Sequence, residues 1–416
     1  MDMKIPRGYM VVIENFFSLS TQQGMTYILP IIILPYLMRT IGPAKFGLIT
    51  FAQAFVQYFM ILTDYGFSLT ATKKLAVCQN QKQKTCSIFS SVFTVKIILS
   101  ATSFLILAAI INIFPRFRND WLVYFLSFGA VIGNTLFPVW FFQGQEKMKY
   151  IAIINICGGI IYTICIFIFV HTPQDYLIVP LLTSLFFIAT GIAGLFVAFR
   201  KFKLQFVVQT YEDIKEEFRT GRDIFFSIVA INAYTSTRVF AVGLLTNNIL
   251  TGYYSVAERI ASVIQAFPLD SFSQAIYPRL NSIFSRNKLR AVKIMKRIQA
   301  TMTFGSLLCL PFIFYFSPWI VRLVCGIAYP ETVLSLRILI VSVFFVTTNA
   351  FRVQFLLVCG KPDYYSKLHI AAAIVGLPLI FTLIHFFSYP GAAISTIGIE
   401  LGVILTTSII IKRLGY

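Results

Sequence analysis

The sequence predicts an all-α integral membrane protein: twelve transmembrane helices, grouped six and six. Three observations carry this: the composition, the spacing of the apolar runs and the placement of Lys and Arg. Of 416 residues, 57% are hydrophobic and 12% charged. A soluble domain covers its outside with charged residues, and this chain has too few. Crossing ~30 Å of hydrocarbon takes about 20 apolar residues. Runs of that kind fall at 12–38, 44–71, 88–113, 120–142, 149–170, 176–199, 221–246, 250–275, 299–324, 333–358, 364–387 and 390–411. Each is expected to be helical, because lipid offers backbone amides no partners.

The first boundary is the clearest. An apolar run ends at Arg39, Gly42-Pro43 makes a turn, and a second run continues to Lys73-Lys74. Pro43 fits the first turn of a new helix, where its missing amide proton has no partner anyway. Basic residues then set the orientation. One side collects Lys4 and Arg7, Lys73 to Lys84, Lys147 and Lys149, the Arg200–Arg222 group, the Arg279–Arg297 group, Lys361, Lys367, Lys412 and Arg413. The other holds Arg39, Lys45, Arg116, Arg118 and Arg322. An even number of spans then puts both termini in the cytoplasm. The net charge of +19 lies in these loops, not on one soluble face, so no nucleic-acid partner is expected. The first apolar run is too long for a signal core and lacks a small-residue cleavage site, so no cleaved leader is expected.

The longest charged stretch, Arg200 to Asp223, separates the two sets of spans and is expected to be a plain solvated connector. The expected organisation is a six-helix bundle over 1–199, a cytoplasmic connector over 200–220 and a second bundle over 221–416. The halves echo one another. Phe46-Gly47-Leu48-Ile49-Thr50-Phe51-Ala52-Gln53 and Thr251-Gly252-Tyr253-Tyr254-Ser255-Val256-Ala257-Glu258 keep Gly, a hydroxyl residue, Ala and Gln/Glu at one spacing. Two repeats of six spans in one orientation suit rocking of one half against the other. The seven Cys show no paired metal spacing and are expected to be small buried hydrophobes. No metal site or cofactor is expected, and no Walker-type phosphate loop is present.

Three motifs add a resemblance. Arg39-Thr40-Ile41-Gly42-Pro43 with Phe46-Gly47, followed by Asp64-Tyr65-Gly66-Phe67-Ser68-Leu69-Thr70-Ala71-Thr72, is the first. The second is Phe137-Pro138-Val139-Trp140-Phe141-Phe142-Gln143-Gly144-Gln145-Glu146-Lys147-Met148, and the third Gln274-Ala275-Ile276-Tyr277-Pro278-Arg279. Together they resemble the Wzx-type O-antigen flippases over nearly the whole chain. The resemblance implies a fold like that of multidrug and toxin extrusion (MATE) transporters. It implies, as substrate, an undecaprenyl-pyrophosphate-linked oligosaccharide moved across the bacterial inner membrane by alternating access. It also makes the O-antigen polymerase and chain-length regulator candidate partners. Two alternatives stand beside it. One is a small-molecule or drug antiporter of the same fold. The other is an enzyme such as an O-antigen polymerase, disfavoured because the outer loops are short and Arg116, Arg118 and Asp120 form the richest cluster there.

Charges inside spans are costly and normally face a wet cavity or a partner. Lys96, Arg238, Arg259 and Arg352 are the candidate cavity cations, and Glu258, Glu400 and Asp64 the candidate coupling or structural acids. Arg238 and Glu258 each lie about 12 Å below the periplasmic surface at ~1.5 Å per residue, so they can pair. Arg352 and Lys96 can instead snorkel along their stems. Glu400 is either a protonated carboxyl bonded to a neighbouring helix or a proton- or sodium-linked switch. Asp64 is expected to cap or pair at a helix end. His171, His369 and His385 receive no role. Arg and Lys match the diphosphate implied by the resemblance through charge-assisted hydrogen bonds.

Overall fold

The structure is a computed structural model. It describes residues 7–78 and 81–414, apart from the side chains at 7–13, 16, 19, 267–279, 281–282, 285, 289 and 362. The described residues contain helices and turns and no strand. In chain order the helices are α1 (Arg7–Thr40), α2 (Gly42–Asp64), α3 (Phe67–Val77), α4 (Lys82–Ile113), α5 (Pro115–Arg118), α6 (Trp121–Leu136), α7 (Val139–Gly144) and α8 (Met148–Phe169). A 3-10 turn at Pro173–Leu177 leads into α9 (Ile178–Phe202). Then come α10 (Tyr211–Thr235), α11 (Thr237–Leu245), α12 (Asn248–Arg286), α13 (Lys288–Cys325), α14 (Pro330–Val358), α15 (Pro362–Phe387) and α16 (Tyr389–Arg413). Among the described residues nine helical segments are long and apolar enough to cross a membrane, or ten when α10 and α11 count as one span bent by 53°. This is a multi-pass membrane protein. The twelve expected spans are reached only by adding α1 and α12, which include undescribed side chains.

Three of the expected spans are broken rather than continuous. The run at 44–71 splits into α2 and α3 at Tyr65 (φ 44°) and Gly66 (φ 81°). Both take the left-handed conformation, which a helix cannot continue through. A Cβ on Gly66 would stand 2.7 Å from the Ile224 side chain, so the position also needs the space. The run at 120–142 breaks before Pro138: Phe137 is extended (φ −80°, ψ 108°), as a residue preceding proline prefers. The run at 221–246 bends between α10 and α11.

Contacts divide the chain into two compact units. Unit 1 is the chain as far as Tyr36 together with Ala52–Val229, and unit 2 is Leu37–Phe51 with Ala230–Tyr416. Unit 1 has an aromatic core at the ends of its spans: Phe67, Phe89, Trp140, Phe141 and Phe142 are all almost fully buried. Two motifs meet in it. α3 carries Phe67 to Thr72, α7 carries Val139 to Gly144, and the helices pack together. The Thr72 hydroxyl donates to the Trp140 carbonyl at 3.2 Å. A Cβ on Gly144 would lie 2.6 Å from Leu75 Cβ, so only glycine permits this approach.

The connector is not a plain solvated link. After an irregular stretch over 203–210, α10 begins at Tyr211 and its first turns pack within unit 1. Ile214 and Phe218 pack on the aromatic core. Glu217 is 5% exposed. Lys74 Nζ lies 2.8 Å from its carboxylate, and the Ser91 hydroxyl donates to it at 3.3 Å. Tyr65, at the α2–α3 break, stacks on Phe225 with centroids 4.6 Å apart. The charges of the connector look uniformly solvated in sequence because one helical face can be buried while its charge pattern stays polar.

Within unit 2, α14 is central and packs against α12, α13, α15 and α16. Also within that unit, the starts of the two echoing segments lie on each other. A Cβ on Gly47 would be 1.7 Å from the Asn248 carbonyl oxygen, and one on Gly252 would be 2.2 Å from that of Pro43. Backbone therefore meets backbone at a crossing that no side chain fits. Thr50 and Ser255 follow one turn later with their hydroxyl oxygens 3.0 Å apart. The pairs 47/252 and 50/255 share the 205-residue offset of the echo. The repeat thus places matching residues opposite one another.

Candidate functional site: charged side chains within the spans

Lys96, on α4, is 2% exposed and, among the described residues, is the one charged residue in the set of largest fully buried side chains. Its ammonium donates to the Asn134 carbonyl at 3.3 Å and stands 3.7 Å from Asp64 Oδ1. Asp64 is the last residue of α2, held there because the helix stops at Tyr65. Its side chain is 32% exposed. The pair is therefore long and lopsided: a buried cation with a half-hydrated anion.

Unit 2 arranges its charges differently. Arg238 lies in the first turn of α11, just after the bend, and its Nε donates to Glu258 Oε1 of α12 at 3.0 Å. Both side chains are about one-fifth exposed, at 17% and 21%. Glu400 of α16 accepts from the Asn349 amide of α14 at 2.9 Å. Arg352 of α14 donates through Nη1 to the Ser408 hydroxyl of α16 at 2.7 Å. With the Gln299 amide oxygen turned toward it, Arg352 also donates through Nε at 2.6 Å and Nη2 at 3.2 Å. So Arg352 ties α13, α14 and α16 together rather than only reaching along its stem. Arg259, one residue past Glu258, is exposed.

The structure thus brings together Arg238 with Glu258 and Lys96 with Asp64. It gives Glu400 an uncharged partner, and Arg352 hydroxyl and amide partners. The motif Gln274–Arg279 falls on α12, where the side chains lie outside the described residues.

Several further polar contributors lie within the spans. Asn349 is an uncharged amide in an apolar span, a signal a search for polar residues would catch. Arg337 of α14 donates to the Ser317 hydroxyl at 3.0 Å and lies 5.1 Å from the Phe314 ring centroid. His369, given no role from sequence, is buried and lies 2.7 Å from the Tyr234 hydroxyl. No spacing rule links residues 135 apart. Among the described residues no group of three or more His, Cys, Asp or Glu could hold a metal ion. The cysteines are unpaired and only partly fit the buried expectation: Cys86 and Cys325 are buried, but Cys157 and Cys309 are exposed on apolar helices. Cys359, just beyond α14, has its thiol pushed up to about 11 by burial, which leaves little reactive thiolate near neutral pH.

A buried ammonium with three donors, and guanidiniums in forked geometry, can chemically bind an anionic group. Comparison with known proteins narrows the field. Residues 12–284 match the family described as polysaccharide biosynthesis protein. The chain belongs to that family. It is 30% identical over 393 residues to a provisionally named O-antigen transporter of Escherichia coli (strain K12), covering 93% of each chain. A second, from Shigella dysenteriae, is 23% identical over 393 residues, covering 94% of this chain and 98% of the relative. Its fold is that of the MATE transporters. An inward-facing multidrug resistance transporter of that family, in the MOP superfamily, superposes with a TM-score of 0.76 at 14% identity, covering 93% of this chain and 95% of the other. The lipid II flippase MurJ, inward closed, gives 0.68 at 14% identity, covering 97% and 87%. An outward-facing MATE transporter gives 0.59 at 15% identity, covering 97% and 95%.

Proposed function

We propose that this family member is a flippase, not an enzyme. It moves undecaprenyl-pyrophosphate-linked O-antigen units from the cytoplasmic to the periplasmic leaflet of the bacterial inner membrane. The end-to-end likeness to the Escherichia coli relative carries the reading. Twelve spans, with α1 and α12 included, form two six-helix bundles over 1–199 and 221–416, and both termini lie in the cytoplasm. Alternating access moves the head group while the polyprenyl tail stays in lipid.

The physical problem is the diphosphate, which cannot enter hydrocarbon without compensating charge. Lys96, Arg238, Arg259 and Arg352 are the cations assigned to it. Lys96 is the strongest of them, since its ion pair is long and leaves donor capacity. Arg238 is the weakest, because Glu258 already neutralises it. Glu258, Glu400 and Asp64 serve as structural acids or as the groups through which a proton or sodium gradient is coupled. The polymerase and chain-length regulator act next on the delivered units and are the proposed partners.

The test is a deletion strain. Loss of surface O-antigen, with lipid-linked units accumulating on the inner leaflet and both reversed by the wild-type gene, is expected. Intact surface polysaccharide with a lost drug-export phenotype would instead identify an antiporter of this fold.

A further inference from the structure

The positive-inside pattern leaves five basic residues near the outer ends of the spans: Arg39, Lys45, Arg116, Arg118 and Arg322. Two of them, 283 residues apart in sequence, line one pocket. Arg39 is in the last turn of α1 and Arg322 in the last turn of α13. Trp319, Leu323 and Gly326 complete the lining of this cavity of about 520 Å³. It contains no acidic residue.

The pocket is built rather than incidental. Arg39 Nη2 donates to the Leu323 carbonyl at 2.8 Å, satisfying a carbonyl that the end of α13 leaves open. Gly326 ends that helix with φ +82°, and a Cβ there would lie 3.2 Å from Arg39 Nε. Glycine at 326 therefore serves both the helix stop and the seat of the guanidinium. A guanidinium has five N–H donors, so one bond to Leu323 leaves most of them available. The Arg322 side chain has no hydrogen bond or ion pair to any described residue. Trp319 is 63% exposed, as expected for an aromatic anchor at the level of lipid head groups.

We infer that this pocket binds the phosphate of a lipid head group in the outer leaflet. The inference rests on the orientation given under the proposed function. Two forked cations beside an exposed indole suit a phosphate held at the water–lipid boundary, with the acyl or prenyl chain running down the apolar helix surface. The phosphate can come from a bulk anionic phospholipid, or from the diphosphate of the lipid-linked glycan after delivery.

The test uses full-length protein in detergent, with lipid retention measured by native mass spectrometry. The probes are phosphatidylglycerol, undecaprenyl diphosphate and zwitterionic phosphatidylethanolamine. Preferential retention of one or both anionic probes is expected. It should fall about tenfold in Arg39→Gln/Arg322→Gln and severalfold in Arg322→Gln alone. The single variant guards against misfolding, since Arg322 supports no described contact. Arg116→Gln/Arg118→Gln should bind like wild type. Loss confined to phosphatidylglycerol marks a bulk-lipid site; loss confined to undecaprenyl diphosphate marks a delivery site. Unchanged retention in both pocket variants, or equal loss in the Arg116/Arg118 variant, overturns the assignment. Because binding is read apart from O-antigen export, this pocket and the flippase reading fail separately.

Discussion

Units 1 and 2 each hold an ion pair among apolar helices, yet the two pairs are built on opposite lines. In unit 2 Arg238 and Glu258 meet at 3.0 Å with similar, low exposure, so each charge is matched. In unit 1 Lys96 is 2% exposed while Asp64, 3.7 Å away, is one-third exposed, so the cation is the buried partner and its compensation is weak. The second arrangement costs more for what it holds together, which is why Lys96 is proposed above as a substrate-binding cation. A third pair, Lys74–Glu217 at 2.8 Å, inverts it: the anion is buried and a half-exposed lysine covers it.

Three single substitutions and one double variant probe this contrast. Glu258→Leu should cost the most, about 2–3 kcal/mol, because it strands Arg238 among apolar helices. Thermal unfolding in detergent measures it. Arg238→Met/Glu258→Leu should recover most of the loss, and an equally destabilised double variant would break the matched-pair description. Lys74→Met comes next, at about 1–2 kcal/mol. Glu217 loses its cation but keeps the Ser91 hydroxyl. The melting temperature should fall less than for Glu258→Leu, and a larger fall would make the docked connector the dominant constraint on unit 1. Lys96→Met should change stability least, within about 1 kcal/mol, since a poorly compensated buried charge is removed and Asp64 can hydrate. Its export of O-antigen should nevertheless be lost at normal expression. A melting loss as large as that of Glu258→Leu would show that Lys96 is structural and erase the contrast between the units.

The glycine crossing shows how far a repeat can be read. The echo between 46–53 and 251–258 was visible as spacing, but spacing says nothing of where the copies lie. The structure sets them against each other, with Gly47 over Asn248 and Gly252 over Pro43. Likewise Asp64-Tyr65-Gly66 and Phe137-Pro138 stand in the sequence as motifs without showing the helix breaks that fall there. Apolar composition continues through a break, and only the left-handed backbone at 65 and 66 and the extended residue before Pro138 reveal it.

By itself the sequence determined that the chain crosses the membrane several times as apolar helices and that Arg238 and Glu258 are placed to pair. Lipid makes both local matters: each span must satisfy its own backbone bonds over a fixed thickness, so run length and position along the run suffice. Tertiary structure alone decided the partners that local patterns leave open. Whether Glu217 faces water or Lys74, whether Glu400 meets a charge or Asn349, and whether Arg39 reaches the Leu323 carbonyl depend on helix rotation and neighbour. At about 100° per residue, a small change in either turns a side chain to another surface.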